Sequence, residues 1–180
     1  ELDYLVLSPG ISHTLPTSHP VVVRAREAGV VIINDVSLFK EAYKGDIIAI
    51  TGTNGKSTTT ALAKHVLGQS MICQMGGNIG TPVMCLDQSS PVAVVELSSY
   101  QTEVVSDLSA RGVVWLNITP DHIDRHGDMD GYVQAKKRIF DTLNKNDVAV
   151  ICVVDAYKIG IASCRVRVYF FVFSLSLKSS

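Results

Sequence analysis

The sequence predicts an α/β fold with a mostly parallel central sheet, and three observations carry that prediction. Apolar runs at 47–50, 92–95, 113–116 and 148–154 are spaced by segments with helical patterning. Strands apolar on both faces belong to parallel sheets covered by helices on either side. The first run feeds Thr51-Gly52-Thr53-Asn54-Gly55-Lys56-Ser57, a glycine turn closed by Lys-Ser where a helix begins. Polar residues then gather just beyond the runs, at the carboxyl ends of strands, where open parallel sheets hold their ligands.

Taken in order, Leu5-Val6-Leu7 reads as a strand entering the turn Ser8-Pro9-Gly10. Pro20 suits the first turn of a helix reaching Ala28, with Gly29 as its stop. Val30 to Ile33 is a short apolar strand, followed by a helix near Val36 to Tyr43. Gly45 separates this region from the strand at 46–50, which places a domain boundary at about Lys44, between units 1–44 and 45–180. A helix is expected from Thr58 to Leu67 and another from about Met129 to Leu143. Gly76-Gly77-Asn78-Ile79-Gly80-Thr81-Pro82 reads as a second glycine-rich turn. The stretch Val166 to Leu177 is apolar and aromatic but too short to span a bilayer, which needs about 20 residues. It is expected to be a buried or aggregation-prone strand whose partners are missing. The chain opens as if midway through a strand, without an initiator methionine, and both ends read as those of a fragment.

Composition bounds the function. With 47% apolar and 18% charged residues, the chain has the makings of a globular core, which excludes a disordered chain. A net charge of −1 gives no electrostatic reason to expect nucleic acid or an anionic membrane as partner. Cys73, Cys85, Cys152 and Cys164 show neither C-x-x-C nor zinc spacing, and are expected to be reduced, mostly buried thiols of a cytoplasmic protein.

The chemistry concentrates in a few segments. Glycines let backbone amides close around phosphate oxygens, Lys56 adds a mobile positive charge, and the Ser57 hydroxyl can bind the Mg²⁺ that travels with ATP. Ile50 stands where a full Walker pattern has its first glycine, so this is a shortened form. An ordinary strand-to-helix turn is the alternative, and the flanking strand and helix argue against it. Glu96, at the end of a buried strand beside that loop, is a natural metal ligand or water-orienting base, against a capping or salt-bridging carboxylate. His122 lies at another strand end next to Asp121 and is a stronger candidate than His126, though a hydrogen-bonded loop histidine reads the same way. The two histidines are four apart, but Pro120 and Gly127 bracket them and predict a loop, so no zinc pair is expected. His13, His19 and His65 read as surface or structural. On a helix, Tyr132, Lys136, Phe140 and Leu143 share one face while Lys137 and Arg138 point away. A lysine within an apolar stripe must snorkel, pair with an acid or be chemically altered, or else point at the phosphate site. Asn78, held among glycines, could offer its amide to a substrate or simply close a tight loop.

Together these segments resemble the Mur ligases of bacterial cell-wall synthesis. The resemblance is carried by Ile50 to Thr59, Gly76-Gly77-Asn78-Ile79-Gly80, Glu96-Leu97-Ser98-Ser99-Tyr100-Gln101 and Asn117 to His126, with Tyr132 and Ala135 to Phe140 completing the set. Five motifs in order are far more specific than one loop, and Glu-Leu-Ser-Ser-Tyr-Gln looks like the D-glutamate-adding branch. The resemblance implies an ATP-dependent amide-bond ligase acting through an acyl phosphate, with UDP-N-acetylmuramoyl-L-alanine and D-glutamate as substrates. It implies that Gly52, Thr53, Asn54, Gly55, Lys56, Ser57 and Thr58 hold ATP. Ser57 and Glu96 would bind one Mg²⁺, and His122 would assist a second. Lys136 matches a carbamylated lysine that serves as an anionic metal ligand. Asn78, Ser98, Ser8 and Gly10 match positions near the uridine nucleotide.

The family pattern covers roughly residues 3 to 160. It implies a partial Rossmann-like N-terminal substrate domain followed by a partial phosphate-loop domain. The C-terminal ligase domain would be absent and the 160–180 tail atypical. Activity of the isolated chain is accordingly expected to be negligible. A cytoplasmic monomer is expected. The alternatives are a folylpolyglutamate-type or different Mur ligase, which Ser98 to Gln101 argues against, and a nucleotide-binding module without chemistry.

Overall fold

A computed structural model of the chain describes residues 2–105, 107–152 and 167–171. Two parallel sheets organise them. The smaller pairs β1 (Tyr4–Val6) with β2 (Val31–Ile33) across helix α1 (Pro20–Glu27). Pro20 occupies the first turn of α1, His19 Nδ1 accepts the Val21 amide at its cap, and the chain leaves through Gly29 at φ +69°. Proline before and glycine after a helix are the predicted punctuation, and they hold here. Helix α2 (Asp35–Ala42) starts at Asn34, whose Oδ1 accepts the Ser37 amide.

The larger sheet has six strands: β3 (Asp46–Thr51), β4 (Cys73–Gly77), β5 (Val92–Glu96), β6 (Gly112–Trp115), β7 (Val148–Cys152) and β8 (Arg167–Phe171). Their spatial order is 4-5-3-6-7-8, and every neighbouring pair is parallel. Helix α3 (Lys56–Leu67) carries the chain from β3 to β4 and packs against β3, β4 and β5. After β5 the chain passes to the other side of β3 to build β6 and β7, so the order reverses at β3. Such a reversal opens a crevice at the carboxyl ends of the strands.

Alternate residues of these strands face one core. Ile47, Ala49, Ala93, Val95, Val113, Trp115, Ala149 and Ile151 meet Val36 and Phe39 of α2 there. Tyr132 of helix α6 (Met129–Lys137) joins them, with Ile139 and Phe140 just beyond it. Trp115 stacks on Phe140 with ring centres 5.9 Å apart. On the opposite face Ile50, Val92 and Val94 are buried, whereas Ile48, Val114 and Val150 are half-buried.

Several expectations change in detail. Gly76 and Gly77 close β4 instead of lying in the turn, because a side chain would collide with the Thr81 carbonyl oxygen at Gly76 and with the Glu96 carbonyl oxygen at Gly77. The 129–143 helix ends at Lys137 and tightens into a 3-10 turn at Arg138–Phe140, which turns both Ile139 and Phe140 into the core. The segment between Pro120 and Gly127 is not all loop. Ile123–His126 forms a one-turn helix α5, entered by His122 at φ +52°. The apolar stretch near the end has a partner: β8 pairs with β7 from Val148↔Arg167 to Cys152↔Phe171. Its remaining residues, like 153–166 and the rest of the 160–180 tail, lie outside the described residues. Cys85 is exposed and Cys73 only half-buried, so these two thiols are free but not core residues. Among the described residues no helix is long and apolar enough to cross a membrane.

Gly77 has φ +112° and lies against the Glu96 backbone, so Gly77→Ala should destabilise the chain by about 2 kcal/mol or more. Urea unfolding checks this, and an unchanged midpoint would contradict the close β4–β5 approach.

Candidate active site

The crevice is built around the exit of β3. The Leu116 amide donates to the Thr51 carbonyl at 3.0 Å, and a Cβ on Gly52 would sit 3.0 Å from Leu116 Cβ. Only glycine lets the loop press this closely on the end of β6. Asn117, two residues past β6, then grips the loop. Its Oδ1 accepts the amides of Thr53 at 3.0 Å and Asn54 at 2.9 Å, while its Nδ2 donates to the Asn54 carbonyl at 2.9 Å. Thr53 Oγ1 donates to the Thr119 carbonyl at 3.2 Å, accepts the Thr119 amide at 3.0 Å and meets Tyr132 Oη at 3.1 Å.

Gly55, at φ +81°, caps α3 without a side-chain bond, and the first helical bond is Thr59 N–H to the Gly55 carbonyl. The amides of Lys56, Ser57 and Thr58 therefore have no intrahelical partner, and they point out of the positive end of the helix dipole. Such an end is a ready anion site. Lys56 Nζ folds back on the Thr53 carbonyl at 2.8 Å.

Directly beneath the loop lies Lys136, only 1% exposed. Its Nζ donates to the Gly52 carbonyl at 3.0 Å and reaches Thr51 Oγ1 at 3.5 Å, over the Tyr132 ring. The stripe lysine does not snorkel; it points at the loop. Burial, and after it the Lys56 ammonium, push its pKa down to about 7, with Asp121 opposing. An amine so placed has a substantial neutral, nucleophilic fraction near neutral pH.

Glu96 ends β5 opposite Ile50, next to the same loop. It is buried; its Oε1 accepts from Asn78 Nδ2 at 3.1 Å, and its Oε2 has no partner among the described residues. A buried carboxylate oxygen without a donor is costly unless a cation or ligand satisfies it, so the donor set here fits a hard divalent ion. Ser98 sits at the start of helix α4 (Ser99–Val104) in a capping box with Gln101, an anchoring role that sequence reasoning did not assign to it. His122 is half exposed, 3.5 Å from Asp121 Oδ2 and 4.9 Å from the Tyr100 ring centre. Ser8 and Gly10 lie in the turn after β1, where the Ser8 carbonyl accepts the Ile11 amide.

Sequence reasoning missed what ties that turn to the large sheet. Arg125 of α5 donates to the Ile11 carbonyl at 2.7 Å and Ser12 Oγ at 3.2 Å, and its guanidinium lies 4.8 Å from the Tyr100 ring centre. Glu103 accepts from Thr14 Oγ1 at 2.7 Å and stands 3.9 Å from Arg125 Nε. Burial alone would raise the Glu103 pKa, but His13, whose Nδ1 stands 3.7 Å away, and the Thr14 hydroxyl bond outweigh it and hold the carboxyl below its usual range. His126 packs against Tyr132 and bonds Ser99 Oγ at 3.0 Å; burial depresses its pKa. These partners are too far apart in sequence to be read from spacing. Asn117 had a signal, since it follows its strand much as Glu96 ends its own.

Comparison with known proteins adds a family. Residues 50–179 match the model of the Mur ligase middle domain. A Caulobacter protein named UDP-N-acetylmuramoylalanine–D-glutamate ligase is 49% identical over 167 residues, covering 86% of this chain and 36% of that protein. The Rhodospirillum rubrum protein of the same name is 47% identical over 170 residues, covering 91% of this chain and 36% of its own length. The chain thus spans about a third of the length of such relatives. Among solved structures, MurF from Acinetobacter baumannii superposes with TM-score 0.61 at 22% identity, covering 76% of this chain and 33% of that one. A MurF ligase from Thermotoga maritima in complex with ADP gives 0.60 at 16% identity, covering 95% and 50%. At these identities the structures show a shared fold.

The depressed Lys136 amine makes stability depend on pH with a defined sign. Below about 7 both folded and unfolded states are protonated, and the full cost of burying the ammonium is present. Between about 7 and 10.5 the unfolded state keeps a proton that the folded state has shed, so stability rises with pH. Lys136→Met should therefore gain most over the unaltered chain below pH 7 and lose that advantage towards pH 10. Urea titrations in CO₂-free buffer check this; a pH-independent difference would contradict the buried amine.

Proposed function

The chain belongs to the Mur ligase family, and we propose that the full-length protein uses ATP to join D-glutamate to UDP-N-acetylmuramoyl-L-alanine in peptidoglycan precursor synthesis. Relatives that carry this activity in their names are 45–49% identical to the chain, which favours the D-glutamate branch over other ligases of the fold. The observation that carries the chemistry is the buried Lys136 amine held against the Gly52 carbonyl, under a loop that presents Lys56 and free helix amides.

The substrate carboxylate attacks the γ-phosphorus of ATP, releasing ADP and leaving an acyl phosphate. The D-glutamate amine then attacks the acyl carbon and expels phosphate, shedding a proton as the amide forms. Gly52, Thr53, Asn54 and Gly55 shape the loop. The amides of Lys56, Ser57 and Thr58 would receive phosphate oxygens, and Lys56 would turn from the Thr53 carbonyl to the bridging charge. When bound, Mg²⁺ would neutralise phosphate charge, with Ser57 and Glu96 as ligands at one site and His122 and Lys136 beside a second. Asn78 would hold the Glu96 carboxylate in position from the substrate side. Ser98, Ser8 and Gly10 are assigned to the uridine nucleotide, and Arg125 would keep the Ser8–Gly10 turn against the large sheet.

Lys136 is assigned a carbamate. Its neutral amine attacks the carbon of CO₂, an N–C bond forms and a proton leaves to solvent, turning a cation into an anionic oxygen ligand. A pKa near 7 supplies the neutral amine that this step requires. A partial substrate domain at 1–44 and a partial ATP domain at 45–180 complete the organisation. The setting assigned is a cytoplasmic monomer without nucleic-acid or membrane partners.

Calorimetry of Mg·ATP on this chain tests the nucleotide assignment. Lys56→Ala should abolish binding, and unchanged affinity would refute the loop's role. In a full-length relative, the equivalent of Lys136→Ala should lose most ligation, roughly 100-fold or more, and regain part of it with small carboxylates such as acetate or formate. Absence of rescue would count against the carbamate.

A further inference from the structure

We propose that Asn117 is a positioning residue for the nucleotide: its carboxamide holds the phosphate loop open and decides which loop amides remain for phosphate. What the loop receives rests on the function proposed above; the tether rests on geometry alone. The carboxamide uses both its ends, accepting the Thr53 and Asn54 amides and donating to the Asn54 carbonyl. The backbone of Asn117 is pinned in turn. Its carbonyl accepts Trp115 Nε1 at 3.0 Å and the Thr53 amide at 3.2 Å. Trp115 is fully buried, so the tether is referenced to the rigid core rather than to another loop.

Two consequences follow for phosphate. The Thr53 and Asn54 amides, which a glycine-rich loop would otherwise turn on an anion, are already spent on Asn117. Phosphate is therefore left to the amides at the start of α3, where the dipole is strongest. The tether also fixes the Thr53 carbonyl, on which Lys56 Nζ rests at 2.8 Å, and so sets the point from which the lysine swings to its ligand. No other residue type serves equally: aspartate lacks the donor and brings a negative charge, alanine lacks both groups, and glutamine is one methylene too long.

The test uses the 180-residue chain with Asn117→Ala and Asn117→Asp. The first readout needs no nucleotide. By NMR, the Asn54 amide should exchange with solvent roughly 10-fold faster in Asn117→Ala, Thr53 less so because the residue-117 carbonyl still accepts its amide, with Val94 in β5 unchanged. Unchanged exchange at Asn54 overturns the tether, and a global rise that includes Val94 overturns a local role. The second readout is affinity for ATP, ADP and AMP. Asn117→Ala should weaken ATP roughly 10-fold and AMP less than about 2-fold, with Asn117→Asp weaker still on ATP. Equal losses for ATP and AMP, or none, overturn phosphate positioning. If the unaltered chain binds no ATP while exchange responds as expected, the tether stands and the nucleotide assignment fails.

Discussion

The register of three parallel strands places everything else. Ile50 lies opposite Glu96 and Thr51 opposite Trp115, so β5, β3 and β6 end almost level. Level ends deliver a carboxylate, a glycine loop and the Leu116–Asn117 segment to one crevice without any of them having to bend far. A side chain on Gly77 or Gly52 would push these strand ends apart. The site is therefore a property of the sheet, and the loops inherit its precision.

Within that frame the site is made by polar groups that the core cannot satisfy by itself. Lys136 is carried into the interior on the apolar face of α6, where Tyr132 and Phe140 anchor the helix on the core. Its ammonium finds only a backbone carbonyl and a hydroxyl, and no carboxylate ion pair compensates it among the described residues. Glu96 has one oxygen without a donor among the described residues. Burying two such groups is expensive, and a fold retains them when a ligand or modification completes them. A divalent cation would satisfy the Glu96 carboxylate, and the proposed carbamate would turn the Lys136 amine into a second anionic ligand for it.

Much of this was legible in the sequence, for reasons that particular residues make plain. The apolar runs located β3, β5, β6 and β7 of the large sheet but not β4, because strands covered on both faces leave a continuous apolar signature that Cys73–Gly77 lacks. The 100° period placed Lys136 on the buried face of its helix, although periodicity could not say whether the amine would snorkel or point inward. What stayed hidden depended on three-dimensional approach. The glycines of β4 read as a turn because their need is contact with Thr81 and Glu96 rather than φ alone. The Arg125–Ile11 tie joins residues 114 positions apart and the Asn117–Thr53 tether residues 64 apart, beyond any local pattern. His126 read as a loop residue because a single helical turn is shorter than any periodic signal.

The claim on which the chemistry turns is that Lys136 takes up CO₂. Its most direct measurement is ¹³C NMR of the chain in ¹³C-bicarbonate at pH 7 to 8. One slowly exchanging carbamate carbonyl resonance is expected, strengthening with added Mg²⁺ and disappearing in Lys136→Ala. A spectrum containing only bicarbonate and CO₂, in a chain shown to be folded, would contradict it.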